Sequence, residues 1–120
     1  FGNISNHFPL SLFLVKQGFD VLIFDYEGYG ASEGKPSAKN LVDDGIASVR
    51  YAQSRLRQPA TSVGIFGQSL GGSVAAVVTA KEPLVRALVL ESAFSGYRSM
   101  GRAAIRHRGY VQDLCREFPR

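Results

Sequence analysis

The sequence predicts an α/β fold of three layers, in which helices cover both faces of a parallel β-sheet. Short, nearly continuous apolar runs alternate with longer segments whose apolar residues recur at helical spacing. Continuous apolar runs are typical of strands that are covered on both faces. The 120 residues contain no repeat, no low-complexity segment and no linker, and this indicates a single domain.

The first predicted element is a helix over residues 5–17. Its apolar side chains Phe8, Leu12 and Val15 recur at helical spacing. Gly18 follows directly, and glycine is the residue that most often ends a helix, because it adopts a positive φ without steric cost.

Three further elements complete the first half. Residues 19–25 read Phe-Asp-Val-Leu-Ile-Phe-Asp and predict a buried strand. Residues 26–36 contain three glycines and predict a loop. Residues 37–56 predict a helix. The apolar side of that helix comprises Leu41, Gly45, Ile46, Val49 and Leu56.

The second half repeats the alternation. A strand is predicted over residues 63–66, a helix over 71–81 and a third buried strand over 85–90. Residues 95–108 predict a basic helix, and a weakly patterned tail follows.

The most informative motif lies where the strand at 63–66 meets the helix at 71–81. Residues 67–71 read Gly-Gln-Ser-Leu-Gly, which is G-x-S-x-G. At such a corner the serine has a strained backbone and an exposed hydroxyl, while Gly67 and Gly71 leave room for the sharp turn. The bare pattern occurs by chance in roughly 4% of chains this long, so an ordinary glycine-rich turn is the alternative interpretation. The strand before the motif and the helix after it favour the nucleophile corner over that alternative.

Three stretches of the chain resemble the α/β-hydrolase superfamily. They are Phe-Asp-Tyr-Glu-Gly-Tyr-Gly-Ala-Ser-Glu-Gly at 24–34, Gly-Gln-Ser-Leu-Gly-Gly at 67–72 and Glu-Ser-Ala-Phe at 91–94. The resemblance covers roughly residues 3–105 and is greatest to the serine aminopeptidase-like and acyl-protein thioesterase-like branch. Glu27 stands where that branch usually has arginine.

The resemblance implies a role for each matching residue. Ser69 would be the nucleophile, and the backbone N–H of Leu70 would donate to the oxyanion. Gln68 occupies the variable position of the elbow and would line the pocket. The rim of the site would include Tyr26, Gly28 and Glu91. No cofactor and no metal are required, and the expected ligand is a small-molecule or acyl substrate.

The resemblance also implies that parts of the hydrolase site lie outside these residues. The catalytic acid and histidine of the family fall well beyond residue 100, and its His-Gly oxyanion motif should stand just before Gly2. We therefore expect residues 1–120 to be a partial domain with a truncated α/β-hydrolase fold, nearly inactive alone. The strand with the His-Gly motif would lie between the two strands that end at Asp25 and Phe66, so unpaired edges would favour self-association.

Few residues present could complete a triad. His7 lies near the start of the first helix, where a capping or rim role is usual. His107 lies between two arginines, which disfavour the charged form that a catalytic histidine must adopt. Glu91 could act as an acid but is more simply a polar strand end, and Asp25 is expected to brace its glycine loop.

Two other function classes are compatible with parts of the sequence. A nucleotide-binding domain would use the turn at 67–72 with Glu91 as the ribose ligand, but the order G-x-G-x-x-G is not met. A non-catalytic remnant or binding module would keep the elbow and lack the triad.

Composition argues against nucleic-acid-binding, metal-binding, disulfide-bonded and membrane-spanning proteins. The net charge of +4 gives only weak support to nucleic-acid binding. Two distant histidines and the single Cys115 form no metal-binding pattern, and one cysteine cannot form an intrachain disulfide. No segment is long and apolar enough to span a membrane, and residues 1–120 contain no signal-peptide pattern and no disulfide pair, so a cytoplasmic location is slightly favoured but not assigned.

Overall fold

The computed structural model describes residues 4–55 and 60–93, and the predicted basic segment at 95–108 and the tail lie outside them. The described elements form an α/β fold with a parallel sheet, as predicted. They fall into two compact units that divide after Pro36. In chain order the elements are helix α1 (Ile4–Lys16), helix α2 (Ala38–Arg55), a short 3₁₀ helix (Ala60–Ser62), strand β1 (Gly64–Gln68), helix α3 (Leu70–Lys81) and strand β2 (Ala87–Glu91).

The second unit is built on a parallel pair of strands joined by α3. The register of β1 and β2 aligns Gly64 with Ala87 and Gln68 with Glu91. Helix α3 packs against both strands, and α2 packs against α3. Both strands therefore end at the same edge of the sheet, where α3 begins.

Helix α2 supplies much of the apolar core. It begins after Ser37, whose hydroxyl oxygen accepts the N–H of Asn40 at 3.1 Å and so satisfies one of the free donors of the first turn. Of the predicted apolar side, Leu41, Gly45 and Val49 are buried, Ile46 is half-buried, and Leu56 lies outside the described residues. The complete buried side consists of Ala38, Leu41, Val42, Gly45 and Val49.

An ion pair joins α2 to the end of α3. Both Nε and Nη2 of Arg50 contact Oε1 of Glu82, at 3.0 and 2.9 Å. The Glu82 residue is only 8% exposed, so its carboxylate needs such a partner. Nothing in the sequence pattern predicted this contact.

One predicted strand is absent from the structure, and another is less buried than predicted. Residues 19–25 form no β-ladder with any described residue, and Phe19 and Leu22 are 62% and 47% exposed. The strand predicted at 85–90 exists, but Val89 and Leu90 are 52% and 47% exposed. An apolar run becomes a buried strand only where a neighbouring strand pairs with it and other elements cover it. The described residues contain too few such strands and helices to pair with and cover these two segments.

The end of α1 follows the predicted glycine stop. Gly18 has a φ of +89°. Its N–H donates to the carbonyl of Val15 at 2.9 Å, and the N–H of Phe19 donates to the carbonyl of Leu14 at 3.2 Å. These two bonds form a Schellman motif, which satisfies the last free carbonyls of the helix.

Replacement of Gly18 by alanine is expected to destabilise the last turn of α1 by about 1 kcal/mol. A Cβ at this position would meet no atom within 4 Å, so the cost comes from the backbone alone. Amide hydrogen exchange at Phe19, whose N–H donates to the Leu14 carbonyl, should become about fivefold faster, since 1 kcal/mol corresponds to roughly that factor. Gln17→Ala is the matched control, and equal exchange in both variants would contradict the prediction.

Candidate active site

Ser69 forms the one-residue corner between β1 and α3. Its φ is 53° and its ψ is −119°, a combination that side chains disfavour and that glycine adopts readily. In the described ranges, only Ser69 and Ser92 among the non-glycine residues have a positive φ. Such strain persists only where the surrounding structure enforces it, and it is concentrated at functional sites.

The Ser69 side chain is not used to hold α3. Serine at a helix N-cap usually accepts a backbone N–H of the first turn, but Ser69 makes no such bond. The residue is exposed. Its hydroxyl is therefore accessible at the corner.

The backbone of Ser69 is held on both sides. Its N–H donates to the carbonyl of Glu91 on β2 at 2.9 Å, and its carbonyl accepts the N–H of Gly72 at 3.1 Å. The N–H of Leu70, the first residue of α3, donates to no acceptor in the described part of the chain. This donor lies at the positive end of the helix dipole.

Close packing around the corner requires two residues without side chains. A Cβ on Gly67 would lie 2.6 Å from the Gly71 carbonyl oxygen and 2.7 Å from the Ala75 Cβ. A Cβ on Gly72 would lie 2.6 Å from the Ala93 Cβ. The motif predicts close packing at Gly67 and Gly71, and the structure adds Gly72. The consecutive pair Gly71-Gly72 was the available signal, because a glycine pair at a helix start marks close backbone contact.

The structure brings three of the predicted site residues together. Gln68 and Glu91 are register partners at the ends of their strands, and both are exposed. Ser69 follows Gln68 directly and bonds to the Glu91 backbone. This edge is where the carboxyl ends of parallel strands commonly form a binding crevice.

The glycine loop of the first unit is braced by Asp25. Its Oδ1 accepts the N–H of Ile4 at 2.8 Å, and its carbonyl accepts the hydroxyl of Ser32 at 2.9 Å. The expected support of the loop by Asp25 is confirmed at its backbone carbonyl, which bonds to Ser32, while its carboxylate bonds instead to the first residue of α1.

Two other predicted rim residues lie in the same loop. The Tyr26 ring makes edge contacts with Phe24 and Tyr29, at centroid distances of 4.8 and 6.4 Å. The Gly28 N–H donates to the Glu33 carbonyl at 2.9 Å. These contacts order the loop, and the rim role of Tyr26 and Gly28 stays a prediction.

Glu27, at the position where the family usually has arginine, is also used locally. Its carboxylate accepts the backbone N–H of Lys35 at 3.1 Å and so closes the loop. The acidic replacement thus has a structural role within this segment.

Neither histidine side chain that could act as the general base is located. The side chain of His7 and the whole of His107 lie outside the described residues. Across residues 4–55 and 60–93, no group of histidine, cysteine and carboxylate side chains is arranged to hold a metal ion. No helix in the same ranges has the length and apolar character needed to cross a bilayer.

Comparison with known proteins identifies the family. The family model described as serine aminopeptidase, S33, matches residues 5–116. No solved structure matches the chain significantly.

Three curated relatives illustrate the similarity. Uncharacterized protein YfhR of Escherichia coli strain K12 is 34% identical over 114 residues, which cover 93% of this chain and 40% of that protein. Protein bem46 of Schizosaccharomyces pombe is 34% identical over 120 residues, with 98% and 40% covered. Alpha/beta hydrolase domain-containing protein WAV2 of Arabidopsis thaliana is 36% identical over 101 residues, with 82% and 33% covered.

The chain thus spans 40% or less of the length of these relatives. The family match extends from α1 through the Ser69 corner and β2. The chain belongs to the serine aminopeptidase S33 family of α/β-hydrolases.

Proposed function

We propose that the whole protein is a serine hydrolase in which Ser69 attacks the carbonyl carbon of an ester, thioester or amide. The observation that carries this proposal is the strained Ser69 backbone, with φ 53° and ψ −119°, at an exposed strand-to-helix corner. A serine that served only to cap α3 would adopt an unstrained conformation and bond to the first turn, and Ser69 does neither.

The proposed reaction proceeds through an acyl-enzyme. The Ser69 hydroxyl proton passes to a general base while Oγ bonds to the carbonyl carbon. The tetrahedral intermediate then expels an alcohol, thiol or amine, which takes up the proton. Water cleaves the acyl-enzyme in the same manner, releasing a carboxylic acid and restoring Ser69.

The Leu70 N–H is the proposed oxyanion donor. It directly follows the nucleophile, has no described acceptor and lies at the positive end of α3. An oxyanion at this position would accept the hydrogen bond that this N–H gives to no acceptor among residues 4–55 and 60–93. Removal of one such donor typically costs about 10²–10³ in rate. By the resemblance to α/β-hydrolases, the second donor and the base lie outside the described residues.

Activity-based labelling tests the proposal. The protein, produced in its source cell, is treated with a fluorophosphonate, and the modified peptide is identified by mass spectrometry. We expect the label on Ser69 because only an activated serine reacts appreciably. Ser69→Ala should not be labelled, whereas the control Ser62→Ala, which changes an exposed serine of the 3₁₀ helix, should be labelled like the wild type.

The other outcomes identify the alternatives. A folded protein that is not labelled at Ser69 would favour the non-catalytic binding module. A rise in thermal stability on addition of NAD would instead favour the nucleotide-binding interpretation.

Self-association is a separate proposal for the described sheet. In the described ranges β1 pairs only with β2, so each strand has one edge without a partner strand. Such edges favour pairing with another chain. Sedimentation of the protein over a range of concentrations measures this tendency.

A further inference from the structure

The last residue of β2 and the two residues that follow it contact the Ser69 corner at two points. We call residues Glu91–Ala93 the post-strand turn. The Glu91 carbonyl accepts the Ser69 N–H at 2.9 Å. Ala93 lies so close to the first turn of α3 that a Cβ on Gly72 would be 2.6 Å from the Ala93 Cβ and 3.2 Å from the Ala93 Cα.

The post-strand turn is itself strained. Ser92 has a φ of 50° and directly follows Glu91, just as Ser69 follows Gln68, the register partner of Glu91. The chain therefore leaves both strands at the same level through a serine in an unfavourable conformation. The change of direction at Ser92 brings Ala93 against Gly72.

The two contacts hold the backbone of the nucleophile and the helix turn that carries the oxyanion donor. The hydrogen bond that the Ser69 N–H donates to the Glu91 carbonyl holds the backbone of Ser69. The packing of Ala93 on Gly72 limits movement of the first turn of α3, which carries the Leu70 N–H. A displacement of about 1 Å between reacting groups can cost about 10²-fold in rate.

We propose that the post-strand turn is a positioning element for Ser69, with the Glu91 carbonyl and Ala93 as its positioning groups. This inference rests on the proposed function, because it concerns the reactivity of the same serine. Neither group touches the reacting atoms. Their effect is transmitted through the backbone of Ser69 and the first turn of α3.

A double-variant cycle tests the contact between Ala93 and Gly72. Gly72→Ala should lower the rate constant for fluorophosphonate labelling of Ser69 by about 10²-fold, because the added Cβ displaces the first turn of α3. Adding Ala93→Gly removes the nearest clashing atom and should restore labelling by at least about tenfold. Recovery should be partial, since the new Cβ would still lie 3.1 Å from the Gly67 carbonyl oxygen.

Gly64→Ala is the matched control. Gly64 lies in β1 at the end away from the corner, and its added Cβ would meet Ala87 at an ordinary 3.5 Å. This variant should be labelled at the wild-type rate. Labelling is measured over a range of fluorophosphonate concentrations, which separates the affinity for the probe from the rate constant at saturation. We expect Gly72→Ala to lower the rate constant and to leave the affinity unchanged. Thermal unfolding reports the folded fraction of every variant.

A second pair of variants covers the case in which Gly72→Ala does not fold. Ser92→Gly keeps the positive φ and should retain labelling. Ser92→Val disfavours that φ and should lower labelling by about tenfold or more, since a β-branched residue strongly resists this conformation.

The outcomes separate the inference from the proposed function. The inference alone is overturned if the wild type is labelled and the Gly72→Ala variant is labelled at the same rate. It is also overturned if Ala93→Gly does not restore the labelling that Gly72→Ala loses. For the second pair, equal labelling of Ser92→Gly and Ser92→Val does the same. A wild type that is not labelled at Ser69 overturns both.

Discussion

Replacement of Ser69 by glycine is expected to abolish hydrolysis and to stabilise the protein. Loss of the nucleophile should lower kcat by about 10⁴ or more. The free energy of unfolding should rise by about 1 kcal/mol, because glycine adopts φ 53° and ψ −119° without the strain that serine bears there. Hydrolysis of an activated ester and urea-induced unfolding measure the two effects.

Ser69→Ala is the control that separates chemistry from strain. Alanine also lacks the hydroxyl, so its activity should be equally low. It retains a Cβ, however, and should gain no stability. If the glycine and alanine variants unfold at the same urea concentration, the conformation of Ser69 is not strained in solution.

Replacement of Leu41 by alanine is expected to cause the largest loss of stability. Leu41 is 0% exposed and lies on the buried side of α2. Truncation of a fully buried leucine removes apolar contacts and leaves a cavity, which costs about 2–5 kcal/mol. The urea midpoint should fall accordingly, with the denaturant dependence unchanged if unfolding remains cooperative.

Leu84→Ala is the matched control for the core. It is the same substitution at a residue that is 48% exposed, and surface changes usually alter stability by less than about 0.5 kcal/mol. Similar losses in both variants would contradict the burial of the α2 face.

The helices were predicted well from the sequence because their signals are local. The predicted ranges 5–17, 37–56 and 71–81 correspond closely to α1, α2 and α3. Helical spacing and the Gly18 stop are both recognised within a few residues of the chain.

Strand pairing was predicted less well because it is not a local property. Residues 19–25 have an apolar composition similar to that of β2, yet only β2 has a partner among the described residues. Composition reports the tendency to be buried, while the partner strand decides whether a ladder forms.

In the candidate site, too, the local features could be predicted from the sequence and the contacts between distant residues could not. The motif around Ser69 predicted the strained corner, because G-x-S-x-G between a strand and a helix encodes that local geometry. The contact of Gly72 with Ala93 joins residues that are distant in sequence, so no spacing rule could reveal it. The Arg50–Glu82 ion pair was missed for the same reason.

The chain order of β1, α3 and β2 has a consequence for how the protein reaches this structure. All contacts of the parallel pair with its connecting helix lie between Gly64 and Glu91, a short stretch of chain. Closing a short stretch loses little chain entropy, so these residues are well placed to form the folding nucleus. Ser69 would then adopt its strained conformation early in folding, stabilised by the pairing of β1 with β2. Substitutions that disturb the corner should therefore slow folding more than they accelerate unfolding.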